Sequence, residues 1–269
     1  KVTFTYNFYI GKYETTFDEY DAFCAATGRS KPEDGGWGGR GTRPVIYVKW
    51  WDAIAYCNWL SEKEKLPKAY DDNGNFLDKD GNITIDPSMV LGYRLPTEAE
   101  WEFAARGGNK SKGYIYSGSE NVRDVACYET SKPQEIGKKA PNELGIYDMS
   151  GNVEEWCSDL YGDYYSSAQT NQYYNYGYSE SYRVLRGGNW KYTQYYSRVA
   201  TRQWGLPKNS WCTVGFRICR TVPGGEPVTT DNLQNMVLVE KGRFTIGDTW
   251  GDGDDNEKPV HQVTLTYDF

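Results

Sequence analysis

Apolar residues recur at helical spacing three times in the N-terminal part of the chain, and only in short alternating runs afterwards. Thr16-Phe-Asp-Glu19 sets a hydroxyl three residues ahead of a carboxylate, the reciprocal cap that opens a helix. The pattern predicts a helix to about Thr27, where Gly28 stops it. "WDAIAYCNWLSEK" carries a second, from about Trp51 to Lys63 and ahead of Pro67. Thr97-Glu-Ala-Glu100 repeats the capping box after Pro96 and predicts a third helix to Arg106, with Gly107 as its C-cap. Between the last two, "DDNGNFLDKDGNITIDP" holds Asn-Gly and Asp-Gly pairs that suit tight turns, and reads as a hairpin with solvated acids.

Beyond Gly107 the pattern becomes one of short strands among long loops. Residues 182–185 and 214–219 alternate as strands do, and "MVLVEKGRFTIGDTW" reads as a hairpin turned at Lys241-Gly242. Residues 221–235, "TVPGGEPVTTDNLQN", have the Pro/Gly-rich, polar composition of a linker. One strand-like segment occurs twice: "VTFTYNF" at 2–8 returns as "VTLTYDF" at 263–269, identical at five of seven positions. The chain therefore runs slightly past one full period and ends on the segment with which it began.

Composition adds a preference for recognition over helical packing. The 269 residues include 24 Tyr, 10 Trp and 29 Gly against 3 Met, with a mean hydropathy of −0.77. Tyr and Trp bury a large area while keeping a polar atom for a partner, so they serve both cores and binding surfaces. The net charge of −7, with no run of Lys or Arg, argues against a nucleic-acid partner. No apolar stretch approaches the roughly 20 residues a membrane-spanning helix needs. Six cysteines without a Cys-x-x-Cys pair speak against a zinc knuckle. Cys24 and Cys57, inside predicted helices, read as buried free thiols, while a disulfide among Cys157, Cys212 and Cys219 is left open. A single histidine, His261, leaves no material for a multi-histidine metal centre.

Four motifs together resemble one family. "GYRLPTEAEWEFAARGG" (92–108), "PNELGIYDMSGNVEEWCSD" (141–159), "RVLRGGNW" (183–190) and "VGFRICR" (214–220) are similar to the formylglycine-generating-enzyme, or sulfatase-modifying-factor, domain. The resemblance implies an α+β fold of C-type-lectin type, with few regular elements and long loops. The order is altered, because residues 236–269 resemble the family's opening segment yet stand at the C-terminus. Residues 1–220 then form the main body and 221–235 a linker, and the chain reads as circularly permuted or cut from a tandem array. A linker of that length spans at most about 50 Å. Residues 236–269 complete either this domain or, by domain swapping, a tandem neighbour's.

The resemblance also sets a test of chemistry. The family's oxidases place a Ser after Gly-Gly, two Cys downstream and an Asn before Gly-Phe-Arg, and the paired thiolates bind copper. Here those positions hold Asn189, Tyr192, Ser197 and Thr213, so no copper and no oxidase activity are expected. A non-catalytic branch of similar proteins, the variable proteins of diversity-generating retroelements, rewrites this same segment into binding surfaces. The mixture of Lys191, Tyr192, Thr193, Tyr195, Tyr196, Ser197, Thr201, Gln203, Trp204, Lys208, Asn209, Ser210 and Trp211 has the rigid-aromatic and adaptable-polar composition of a paratope. The expected role is a binding module for a protein or small-molecule ligand, on the cell surface or secreted. The alternatives are a thiol oxidase and a repeat unit of a structural surface protein.

Trp190 reads as core, and Arg186, Arg198, Arg202 and Arg217 as structural ion-pair partners. The resemblance implies a structural calcium site on "YDMSGNVEEW", with Asp148, Gly151, Val153 and Glu155 as its oxygen donors, and a second that begins at Asn121 and Val122. The acidic loop "GDGDDNE" (251–257) reads as an exposed turn.

Overall fold

In the computed structural model, residues 1–37, 39–165, 167–176, 181–222 and 233–258 are described. Both capping boxes form where they were expected. Helix α1 (Phe17–Thr27) starts on Thr16, whose side chain accepts from the Glu19 amide while Glu19 returns to the Thr16 amide, and Gly28 closes it at φ 70°. Helix α2 spans Trp50–Lys63, one residue earlier than the pattern suggested, and α3 spans Glu98–Ala105 behind the Thr97–Glu100 box. The acidic turns between α2 and α3 are consumed locally. Asp71 accepts from the amides of Asn73 and Asn75, and Asp78 from those of Asp80 and Asn82. These are hydrogen-bonded turns, as the Asn-Gly and Asp-Gly pairs implied. A single helical turn, α4 (Val122–Val125), follows.

Three small sheets carry the rest. Strand β3 (Glu154–Leu160) is the buried spine of a four-stranded sheet in the order β6-β5-β3-β7, with β5 at Arg183–Arg186, β6 at Arg202–Gly205 and β7 at Val214–Gly215. A second sheet sets β2 (Phe8–Gly11) between β8 (Cys219–Thr221) and β9 (Met236–Val239). The third joins β1 (Val2–Thr3) to β4 (Gln169–Thr170) and β10 (Arg243–Phe244).

Two expectations change here. The single strand expected over 214–219 is split, because Val214–Gly215 pairs in parallel with β3 while Cys219–Thr221 pairs with β2 in another sheet. The hairpin at Lys241-Gly242 is not one either: β9 pairs with β2 and β10 with β1, so its two arms belong to different sheets. Within this chain, residues 236–244 thus lie against the N-terminal strands. The repeat copy at 263–269, His261 and residues 223–232 of the linker lie outside the described residues.

Two aromatic-rich cores sit on either side of β3. One gathers Phe17, Trp50, Tyr56, Tyr70, Trp156, Trp190 and Phe216; the other gathers Phe4, Phe8, Trp101, Phe103 and Met149. Helix α3 is buried on every side, acids included, so each of its carboxylates needs a partner. Glu100 takes a bidentate pair from Arg94, Glu98 takes Arg202 and Arg186, and Glu102 takes Arg106 and Arg186. The arginines of the expected structural set do pair with acids: Arg217 with Glu155, and Arg198 with Glu257. All six cysteines are free, so the disulfide left open among Cys157, Cys212 and Cys219 is not formed.

Candidate functional site

The segment 190–211 is nailed down at both ends by tryptophans and lifted out between them. Trp190 is buried, as expected of core. Its ring nitrogen donates to the Cys212 carbonyl at 3.1 Å, and its ring meets Trp37 edge-on at 5.1 Å. Trp211 packs against Trp156, and Gly205 lies so close to both rings that a Cβ there would meet Trp156 at 2.7 Å. Behind the segment, Gly188 sits at φ 68° with the Tyr196 carbonyl 2.5 Å from where a Cβ would stand, so the Gly-Gly pair lets two stretches of backbone touch. Asn189 then turns the chain: its side-chain oxygen accepts from the amides of Lys191 and Tyr192. The carbonyls of Trp190 and Tyr192 in turn accept from the amides of Thr130 and Glu129.

Most of the expected contact residues do reach the surface. Lys191, Tyr192, Thr193, Trp204, Lys208 and Asn209 are exposed; Tyr195, Tyr196, Gln203, Ser210 and Trp211 are half-buried. Tyr192, Tyr195 and Tyr196 form one aromatic group, with ring centroids 5.2 and 5.7 Å apart along the series. Partial burial and then the Asp254 carboxylate push the Tyr195 hydroxyl up to about 12. Trp204 belongs to a different group. It points outward from β6, lies 4.2 Å from Tyr182 and 6.4 Å from Tyr161, and so draws in the Tyr-rich loop that precedes β5. Ser197 and Thr201 do not belong to the surface. Both are buried: the Ser197 carbonyl accepts from Ser150 Oγ, and the Thr201 hydroxyl donates to the Tyr195 carbonyl, so both hold the 3-10 turn Gln194–Ser197 from behind.

Three features of the site were not legible in the motifs. The loop 251–257 is more than an exposed turn. Glu257 is buried against Arg198 in a bidentate pair, and Asp248 accepts from the amides of Trp250, Gly251 and Gly253 to shape the approach. Glu14 enters from the strand end after β2, burying its carboxylate against the amide of Val153 and the side chain of Asn152. Glu154, at the head of β3, is buried beside Asn189 and Tyr192; burial pushes it up to about 7, against the pull of Asn189. Only the long-range topology brings these three to the site.

The expected calcium donors fare unevenly. Glu155 gives both oxygens to Arg217 and one also to the Trp101 ring nitrogen, each at 2.7 Å, so it already has its cation. Asp148 keeps one hydrogen bond, from the Gly137 amide at 2.7 Å, and is pushed up to about 6 by burial and by Glu155, against that amide and Arg217. Glu14 is pushed higher still by burial, then by Asp148 and Glu155. Three buried carboxylates, Glu155, Glu14 and Asp148, thus lie near the single guanidinium of Arg217. Asn121 and Val122 are placed differently. Asn121 caps α4, its oxygen accepting from the Arg123 amide, and the Val122 carbonyl accepts from Ala126. Among the described residues no group of three His, Cys, Asp or Glu side chains stands ready as a metal centre.

With this geometry in view, the chain's kinship is plain. Residues 1–222 match the sulfatase-modifying factor enzyme 1-like domain family, and the chain belongs to it. It is 36% identical over 213 residues to the chaperone protein LppX of Paenibacillus barcinonensis, which covers 68% of this chain and 69% of that protein. It is 31% identical over 199 residues to the formylglycine-generating enzyme of Streptomyces coelicolor, covering 66% of this chain and 53% of that enzyme. Among solved structures, Treponema denticola variable protein 1 superposes with a TM-score of 0.64 at 31% identity, over 80% of this chain and 84% of that one. The fold is therefore the formylglycine-generating-enzyme type, shared by a formylglycine-generating enzyme and a variable protein alike.

Proposed function

We propose that this chain is a non-catalytic binding member of its family, presenting the segment 191–211 and the neighbouring Tyr161–Tyr182–Trp204 group to a protein or small-molecule ligand. The observation that carries this reading is the replacement of all four catalytic positions by Asn189, Tyr192, Ser197 and Thr213, in a segment that the fold holds rigid at its ends and exposes between them. The remaining sulfur does not compensate. Burial raises the thiols of Cys24, Cys57, Cys127, Cys157 and Cys219, whereas a copper-binding thiolate needs the opposite shift. The similarity to a variable protein supports the same assignment, and supports a retroelement-diversified receptor as its finer form. A reverse transcriptase beside a near-copy of the coding segment for 183–220 is the genomic signature that form requires.

A display surface tolerates change where a core does not. Separate alanine substitutions at Tyr192, Tyr195 and Lys208 are expected to shift stability by no more than about 1 kcal/mol. Trp190→Ala is expected to cost about 3–5 kcal/mol through the cavity it leaves. Urea titration checks both. Incubation with copper(I) and a sulfatase-motif peptide should yield no formylglycine by mass spectrometry; turnover there, or a core-like loss at the three surface positions, overturns the reading.

Calcium at Asp148 belongs to the same proposal, as a structural ion that neutralises the excess carboxylate charge. Binding to the folded state alone raises stability by mass action. Millimolar calcium is expected to raise the melting temperature by a few degrees in the native protein and not in Asp148→Asn. An equal rise in both, or none in either, removes the ion from the account.

A further inference from the structure

The buried floor beside Tyr192 is chemically unfinished. Glu154 is 5% exposed, and no salt bridge reaches it among the described residues. Its backbone amide donates to the Thr213 carbonyl, and it stands in register with Val214 of β7. Asn189, completely buried next to it, has its amide end fixed: the side-chain oxygen already accepts from two backbone amides, so the nitrogen must be the end left over. That nitrogen makes no hydrogen bond of ordinary geometry, Glu154 notwithstanding. The hydroxyl of Ser197 is likewise buried without a partner. A buried donor without an acceptor is destabilising, and a buried carboxylate without a cation more so. By contrast, every acid on α3 is paired with an arginine.

Resting on the binding role proposed above, we propose that Glu154 and Asn189 form a subsite for a basic group of the ligand, the ammonium or guanidinium of a partner protein's Lys or Arg side chain. The cation meets the carboxylate of Glu154. The exposed ring of Tyr192 covers the aliphatic stem and adds cation–π attraction. Asn189, held by the backbone amides of the turn, positions its nitrogen toward the carboxylate oxygen that the cation leaves free. Lys191, the nearest basic residue in sequence, is exposed and makes no salt bridge among the described residues, so the subsite is not satisfied from within.

The test uses n-butylammonium and n-butylguanidinium chlorides as probes, with n-butanol and sodium butyrate as neutral and anionic controls, followed by NMR or calorimetric titration of the whole chain. Saturable millimolar binding of the two cations, at least about tenfold weaker in Glu154→Gln and undiminished in Lys79→Ala, on the exposed turn between α2 and α3, is expected. Equal binding of butanol or butyrate, equal binding by Glu154→Gln, or no binding of either cation overturns the subsite. These outcomes are separate from the fate of the binding role. If the display surface proves tolerant and oxidase activity is absent while the cations fail to bind, the subsite falls and the role stands; formylglycine production removes the role whatever the cations do.

Discussion

Replacing Arg186 with alanine is expected to cost about 3–5 kcal/mol, enough to leave much of the protein unfolded at 37 °C. Arg186 is completely buried, and its guanidinium pairs with Glu102 and approaches Glu98 at 3.6 Å. It also donates to the carbonyls of Val199 at 3.0 Å and Ala200 at 2.8 Å, the base on which the exposed segment stands. The truncation therefore leaves Glu98 to Arg202 alone and Glu102 to Arg106 alone, and frees the backbone behind residues 191–197 at the same time. Arg186→Lys is expected to recover little, because an ammonium does not reproduce the planar fork that spans acids and carbonyls at once. Denaturant titration with circular dichroism checks this. A loss below about 1 kcal/mol would mean that the acids of α3 find other partners.

Glu257→Ala is expected to cost about 2–4 kcal/mol, and its signature is local. Arg198 loses a bidentate partner at 2.7 and 3.0 Å inside the protein and keeps, besides a bond to the Tyr195 carbonyl, one acid among the described residues, Asp252, whose side chain is 63% exposed. A buried guanidinium left to a solvated partner carries most of the penalty of a broken pair. Because Glu257 ties the loop after β10 to Arg198 at the root of the exposed segment, the variant should open the C-terminal part to limited proteolysis before the main body melts. Glu257→Gln, which keeps the shape and one acceptor, should lie between. Cleavage at the native rate would show that β9 and β10 hold the segment without this contact.

Much of the local structure was legible in the residues themselves. Both capping boxes, Gly28 as a stop and the Asn-Gly and Asp-Gly turns depend on neighbours within a few positions, and short-range geometry decides them. The motif resemblance carried the family. The aromatic-and-polar composition of 191–211 marked the surface, while the strand that turns Trp204 outward was not legible, because these aromatics follow no clean period. Less legible were the burial of Ser197 and Thr201, the role of loop 251–257, and the involvement of Glu14 and Glu154. A residue's position in a loop says nothing of which strand returns beside it: Glu14 meets Val153 across 139 positions, and Arg198 meets Glu257 across 59. The split of 214–219 between two sheets has the same origin, since period-two alternation cannot show which partner each half pairs with.

By itself, then, the sequence determined the helices with their caps, the turns, the family and the loss of the catalytic residue types. These follow from side-chain chemistry at fixed positions and from contacts a few residues apart. Only the tertiary structure decided which of the segment's residues face solvent, which acids the arginines neutralise and which buried carboxylates they leave unneutralised. Charge balance in a low-dielectric interior is settled by every group that folding brings near, and those groups come from the whole length of the chain.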